Sequence, residues 1–167
     1  HLLVEDNIDK IIETLIRYRM YPSVFSREYP FAKESGSFSR LENELYKQFY
    51  EEIIEIAESG IKGGDQFLEF IRLDIDIKNI KTLFRLRADA FEEDAREMYI
   101  RGGVFSVADF VSLNAIRDQN EFIDMLKTKI RQKSLLTLLD ELRSEKTVRD
   151  VESRLTRVQM EQMEHLS

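Results

Sequence analysis

Glycine and proline, the residues that most often interrupt helices, are confined to a few places in this chain. The two prolines are Pro22 and Pro30, and the glycines occur at Gly36, within 60–64 and as the pair at 102–103. Between these places, apolar residues recur at spacings of three and four, and no stretch alternates with period two, which is the pattern of amphipathic helices. The sequence therefore predicts an all-α fold.

Capping signals divide the helical stretches into separate helices. A hydroxyl or acidic residue followed three positions later by an acid, the form of a capping box, occurs at 39–42, 89–92 and 106–109, and Asp65 is a good N-cap. A new helix is therefore expected to start at 89. We also predict a loop over 22–38 and helices at about 5–21, 39–59, 65–88, 107–114, 118–131, 134–143 and 147–165.

Composition argues against several classes of function. The chain has 167 residues with 25 basic and 32 acidic side chains, so its formal net charge is -7, and strong electrostatic binding to nucleic acid or anionic lipid is not expected. It has no cysteine, which excludes disulfides and thiolate metal sites and favours an intracellular chain. No apolar run has the length of about 18 residues that a membrane span needs.

The segment 67–88 is apolar around most of its circumference, which distinguishes it from the other predicted helices. A helix of this kind is buried, so we expect it to lie at the centre of the fold with neighbours on several sides. Its apolar residues are Phe67, Leu68, Phe70, Ile71, Leu73, Ile75, Ile77, Ile80, Leu83, Phe84 and Leu86.

Asp76, three positions before Asn79 in this segment, is the strongest candidate for a polar site. As a functional group it would be a general acid or a metal ligand, with Arg72 or Arg85 as its partner. As a structural group it would pair in the core with an arginine or with backbone N–H groups. A single carboxylate without a histidine or second acid at ligand spacing favours the structural interpretation, and we expect buried Asp76, Asn79 and Arg85 to fix how helices meet.

Three other candidate sites are weaker. The acidic run 92–94 is typical of the first turn of a helix, where the helix dipole stabilises negative charge, rather than of a metal site. The run 60–65 lacks the Gly-Lys-Ser/Thr ending of a phosphate-binding loop. His1 and His165 lie at opposite ends of the chain and do not suggest a catalytic pair.

Short sequence similarities suggest an internal repeat of about 110 residues. Residues 41–45 resemble 151–155, and residues 11–15 resemble 122–126. On this basis we predict the tail helix of one module at 1–24, a complete module at 39–145 and the first helix of a third module at 147–167.

Two helical segments and a glycine pair resemble a known family. The first segment, 41–50, carries a glutamate and a leucine before a pair of aromatics, and the second, 76–87, has the form Asp-x-x-Asn-Ile followed by an arginine. Together with the glycines they resemble the C subunit of the archaeal and bacterial V-type (A-type) ATP synthase, whose family includes the d subunit of the eukaryotic V-ATPase. The family signature residues, with an expected structural role, are Glu42, Leu45, Asp76, Asn79, Arg85, Gly102 and Gly103.

The resemblance implies an all-helical funnel of three modules related by pseudo-threefold symmetry, of which this chain would be about half. It implies a non-catalytic rotor subunit without cofactor or metal, on the cytoplasmic side of the cell membrane. Its partners would be the proteolipid (c/K) ring and the central-shaft subunits (D, F), so it would couple ATP synthesis to proton or sodium transport. It implies no nucleic-acid partner and no direct membrane insertion.

Two other classes stay open at the level of sequence. One is a helical adaptor or regulatory domain unrelated to ATPases, for which no threefold relation between modules is expected. The other is an enzyme that uses Asp76 with Arg85 or Arg72, and it predicts a cavity at Asp76 that is open to solvent.

Overall fold

The regular secondary structure is entirely helical in the part of the chain described by a computed structural model, which comprises residues 2–60, 62–89, 95–143 and 148–164. The prediction of an all-α fold is therefore confirmed. A short 3₁₀ helix occupies Arg96–Met98, and the α-helices are α1 (Leu2–Arg17), α2 (Pro22–Ser35), α3 (Ser39–Glu58), α4 (Gly64–Ala88), α5 (Val107–Ala115), α6 (Gln119–Lys127), α7 (Lys133–Glu141) and α8 (Val148–Glu164).

The predicted loop over 22–38 is wrong, because most of it is helix α2. Pro22 is the first residue of α2, where the missing N–H has no intrahelical partner to lose and the fixed φ suits a helix. Pro30 lies inside the helix and removes one backbone hydrogen bond. Val24, Phe25 and Ala32 are buried on one face, so packing of the apolar side chains outweighs this loss.

The start of α4 differs from the prediction, whereas the start of α5 agrees with it. Gly63, with φ of 82°, precedes α4, so Asp65 lies in the first turn and is not the N-cap. At α5, Ser106 Oγ accepts from the N–H of Asp109 at 3.2 Å, and Asp109 Oδ2 accepts from the N–H of Ser106 at 2.7 Å. This reciprocal pair is the capping box predicted at 106–109.

The predicted helix start at 89–92 and the acidic run 92–94 lie outside the described residues, apart from Asp89. The backbone N–H of Asp89 donates to the carbonyl of Arg85 at 2.9 Å, so Asp89 follows the end of α4 as its C-cap. Helix α3 begins at Ser39, where the sequence placed its start.

Contacts divide the chain into two compact units, His1–Phe49 and Tyr50–Ser167. In the first unit, a small apolar core forms between α1, α2 and the start of α3. The buried carboxylate of Glu28 forms ion pairs with Arg27 and Arg40, and these arginines hold the pKa of Glu28 below its ordinary value. The buried core residues of this unit are Ile12, Val24, Phe25, Ala32 and Leu41.

The second unit has the larger core, and α4 runs through it as the sequence predicts. Side chains of α4 pack with those of α5, α6, α7 and α8 in a single apolar cluster. The residues of α4 in this cluster that are buried are Ile77, Ile80, Leu83, Phe84 and Leu86. The predicted module boundaries and the pseudo-threefold arrangement stay predictions.

Arg87 joins the end of α4 to the end of α5. Its guanidinium donates to the carbonyl oxygens of Leu113, at 3.3 Å, and Ile116, both at the C-terminal end of α5. It also lies 4.0 Å from the ring centroid of Phe122. A cation here satisfies carbonyl groups that the helix end leaves without an intrahelical partner.

Among the described helices, none combines the length and apolar character needed to cross a membrane.

Candidate functional site

The polar candidates of α4 lie at its contact with an irregular segment, residues 99–105, which we call the glycine loop. Asp76 and Asn79 share one face of α4 and are only 3% and 1% exposed. Buried polar groups need hydrogen-bond partners, and here the partners are backbone groups of the glycine loop. The geometry therefore places the site between α4 and this loop.

Asn79 binds one residue of the glycine loop through both of its polar atoms. Its Nδ2 donates to the carbonyl oxygen of Ile100 at 2.7 Å, and its Oδ1 accepts from the N–H of Ile100 at 2.8 Å. The side-chain amide thus satisfies both backbone groups of Ile100, in the way that a neighbouring strand would.

Asp76 binds the other end of the glycine loop through its two carboxylate oxygens. Oδ2 accepts from the N–H of Val104 at 2.9 Å, and Oδ1 accepts from the N–H of Phe105 at 3.2 Å. The structural interpretation with backbone N–H partners is therefore confirmed. We call the four hydrogen bonds from Asp76 and Asn79 the α4 clamp.

Neither arginine considered from the sequence pairs with Asp76. Arg72 points to Glu58, at 3.8 Å, and Arg85 forms an ion pair with Glu152. The prediction that Arg85 is buried is wrong, since its side chain is 62% exposed. Arg85 follows Asp76 by nine positions, about two and a half turns, so it lies on the opposite face of α4.

The two glycines allow the loop to approach α4 closely. A Cβ atom added to Gly103 would overlap Oδ1 of Asp76 and lie 2.8 Å from its Cγ. Gly102 has φ of 106°, and a Cβ there would overlap Cδ1 of Ile54. Gly103 therefore makes room for the carboxylate, and Gly102 also provides a backbone conformation that other residues rarely adopt.

A second carboxylate extends the pattern beyond the clamp. The N–H of Ser106 donates to Asp109, so three successive backbone N–H groups, those of 104 to 106, donate to carboxylates. Lys129 Nζ lies 2.6 Å from Asp109 Oδ2 and 5.9 Å from the ring centroid of Phe105. The end of the glycine loop and the start of α5 are thus held by two carboxylates, Asp76 and Asp109, that accept from successive backbone N–H groups.

Burial dominates the ionisation of Asp76. It raises the pKa of this carboxyl group from 3.8 to about 7, and the two backbone N–H donors and the positive charge of Lys129 oppose the rise only in part. The nearby negative charge of Asp109 raises the pKa further. Burial therefore favours the protonated form of this carboxyl group at pH values well above those at which an exposed aspartate ionises.

This pKa predicts a pH dependence of stability that belongs to Asp76. In the folded state the carboxyl group of Asp76 keeps its proton up to about pH 7, whereas in the unfolded state it loses the proton near pH 3.8. The contribution of Asp76 to the free energy of unfolding is therefore fully present below pH 3.8 and is lost as the pH rises through about 7. The free energy of unfolding of the wild type minus that of Asp76→Asn should fall over this range, by at most about 1.4 kcal/mol per pH unit, and then level off.

Urea unfolding at intervals between pH 4 and pH 8 measures this difference. Subtracting the Asp76→Asn curve removes the opposite contributions of carboxyl groups with lowered pKa, such as Glu28 and Asp140. A difference that stayed constant across the range would contradict the assignment.

The arrangement does not suit catalysis by Asp76. Its carboxylate is covered by the backbone of the glycine loop, whereas the enzyme interpretation predicts an open cavity there, so that interpretation is wrong. Within the described residues, no three side chains of the types that ligate metals come together. The geometry supports a mechanical role, which is to hold an exposed loop in one conformation.

Two of the signature residues lie in the first unit. Glu42 is exposed on α3, and Leu45 is partly buried and packs against the core of that unit. Among the residues of the clamp, the sequence indicated Asp76, Asn79, Gly102 and Gly103 but not Ile100, Val104 or Phe105. These three contribute backbone groups, which leave no side-chain signal in a sequence.

Comparison with models of protein families shows to which family this chain belongs. The model of the family described as ATP synthase (C/AC39) subunit matches residues 1–167. The chain belongs to this family. The resemblance noted from the motifs at 41–50, 76–87 and 102–103 is thereby confirmed.

Curated relatives of the C/AC39 family are similar over parts of the chain. The A-type ATP synthase C subunit of Methanosarcina acetivorans is 30% identical over 138 residues, which are 80% of this chain and 37% of the relative. That of Archaeoglobus fulgidus is 41% identical over 70 residues, 41% of this chain and 20% of the relative. The V-type ATP synthase C subunit of Thermus thermophilus is 31% identical over 75 residues, 44% of this chain and 21% of the relative.

The chain spans about half the length of the curated relatives it matches. No solved structure matches it.

Proposed function

We propose that this chain is part of a non-catalytic rotor subunit of a V-type or A-type ATP synthase. In this role the subunit links the proteolipid (c/K) ring in the membrane to the central-shaft subunits (D, F), on the cytoplasmic side of the cell membrane. The observation that carries the proposal is the match of the C/AC39 family model to residues 1–167.

The packing of the second unit is consistent with transmission of torque. Such a part must resist deformation, and protein interiors resist it because they are close-packed. Helix α4 has buried residues along most of its length, and its clamp holds an irregular segment through four hydrogen bonds. A net charge of -7 favours docking to basic protein surfaces over lying on anionic lipid.

Binding of the full-length subunit to purified partners tests the proposal. The subunit would be immobilised at moderate salt and offered the detergent-solubilised proteolipid ring and, separately, the assembled shaft subunits of the same organism. We expect both to be retained, and an acidic helical protein outside this family serves as the matched control for charge. Retention of neither partner by a folded subunit would overturn the proposal and favour the helical adaptor instead.

A further inference from the structure

The glycine loop and the residue before it expose apolar side chains beside buried ones. Met98 is 43% exposed and Val104 is 55% exposed, whereas Tyr99, Ile100 and Phe105 are buried within the same stretch. Exposed apolar residues that lie close together on a protein surface often mark a contact with another protein. Here they flank a loop that α4 holds in place.

Arg101 lies between these apolar residues and has no ion pair among the described residues. It is exposed, although the chain carries an excess of acid. Arg117 and Arg131 are also exposed without an ion pair among the described residues, but only Arg101 of these three has an exposed large apolar residue within three positions on each side.

Met125 is also an exposed apolar residue of the second unit, but the cation near it along the chain already has a partner. That cation, Lys127, lies two positions after Met125 and pairs with Asp140.

The α4 clamp makes this stretch suitable for binding. Asp76 and Asn79 hold backbone groups at both ends of the glycine loop, so the loop loses little conformational entropy when a partner docks. Methionine and arginine are enriched in protein interfaces, and arginine often contributes a large share of the binding energy.

We infer that residues 98–104 form a docking loop for an apolar surface of a neighbouring ATP synthase subunit that places a carboxylate opposite Arg101. The charges favour this partner. An acidic chain repels acidic surfaces in general, so a carboxylate of a partner can dock only where a cation is available. Arg101, between exposed apolar side chains, provides that cation and thereby specifies the position and orientation of the partner. The inference rests on the proposed function, because it takes the partner from the same complex.

Photo-crosslinking in the intact complex tests the inference. The full-length subunit, with benzoylphenylalanine in place of Val104, would be purified within its ATP synthase and irradiated, and the crosslinked peptide identified by mass spectrometry. We expect a peptide of another subunit that contains apolar residues and an aspartate or glutamate. The same probe at Met125 is the matched control for exposure, and we expect it to give no crosslink to that peptide.

Charge reversal provides the second measurement. Arg101→Glu should reduce the affinity for the crosslinked subunit by at least about tenfold, and reversing the acid found in that peptide should restore it. Arg157→Glu, at another exposed arginine, should leave the affinity unchanged. Circular dichroism and thermal melting establish that each variant is folded.

Three outcomes would overturn the inference: no crosslink from position 104, a crosslink to a second copy of this chain, or unchanged affinity after Arg101→Glu. If the proposed function itself were wrong, the result would be different, because the wild-type subunit would then not copurify with the complex at all.

Discussion

Asp76→Ala should lower the free energy of unfolding by about 3 kcal/mol, although Asp76 is not part of a catalytic site. The substitution leaves the buried N–H of Phe105 and the partly buried N–H of Val104 without their acceptor, and a buried group without a partner costs about 1–3 kcal/mol. Urea unfolding followed by circular dichroism at pH 6 measures the change.

Conservative replacement separates the hydrogen bonds from the volume of the side chain. Asp76→Asn keeps one oxygen acceptor and nearly the same size, so we expect a smaller loss of stability than for Asp76→Ala. Hydrogen exchange at the amides of Val104 and Phe105 should accelerate in both variants, since these N–H groups donate to Asp76 in the wild type. If Asp76→Ala unfolded at the same urea concentration as the wild type, the clamp would not contribute to stability.

Gly103→Ala should also cost about 2–4 kcal/mol, because the added methyl group occupies the position of the Asp76 carboxylate. The carboxylate is held by hydrogen bonds on both oxygens, so it cannot move aside without breaking them. The φ of Gly103 does not lie in the left-handed region, so the expected cost comes from the clash and not from the backbone.

A double-mutant cycle tests this cause directly. In an Asp76→Ala background, the atoms that the new methyl group would strike are absent, and the nearest remaining atom is Cγ2 of Ile75 at 3.3 Å. Gly103→Ala should therefore cost clearly less in this background than in the wild type. Equal costs in the two backgrounds would place the strain elsewhere.

Parts of the fold and of the candidate site could be predicted from local pattern. The extents of α3, α4 and α5 follow from apolar spacing and, for α5, from the Ser106 capping box. The position of Arg85 on the face of α4 opposite Asp76 also follows from helical geometry, because nine positions correspond to about two and a half turns. The two prolines conceal helix α2 at the level of sequence, although Pro22 lies at its first turn and only Pro30 interrupts the backbone hydrogen bonds.

The sequence by itself determined that the chain is helical, that α4 is central and that the chain resembles the C/AC39 family. These properties depend on residues close together along the chain, because the spacing of apolar residues and the capping residues of a helix are local features. Only the tertiary structure decided what Asp76 and Asn79 bind. Their partners are backbone groups more than twenty positions further along the chain. Every residue but proline carries the same N–H and C=O groups, so their position in space is set by packing alone.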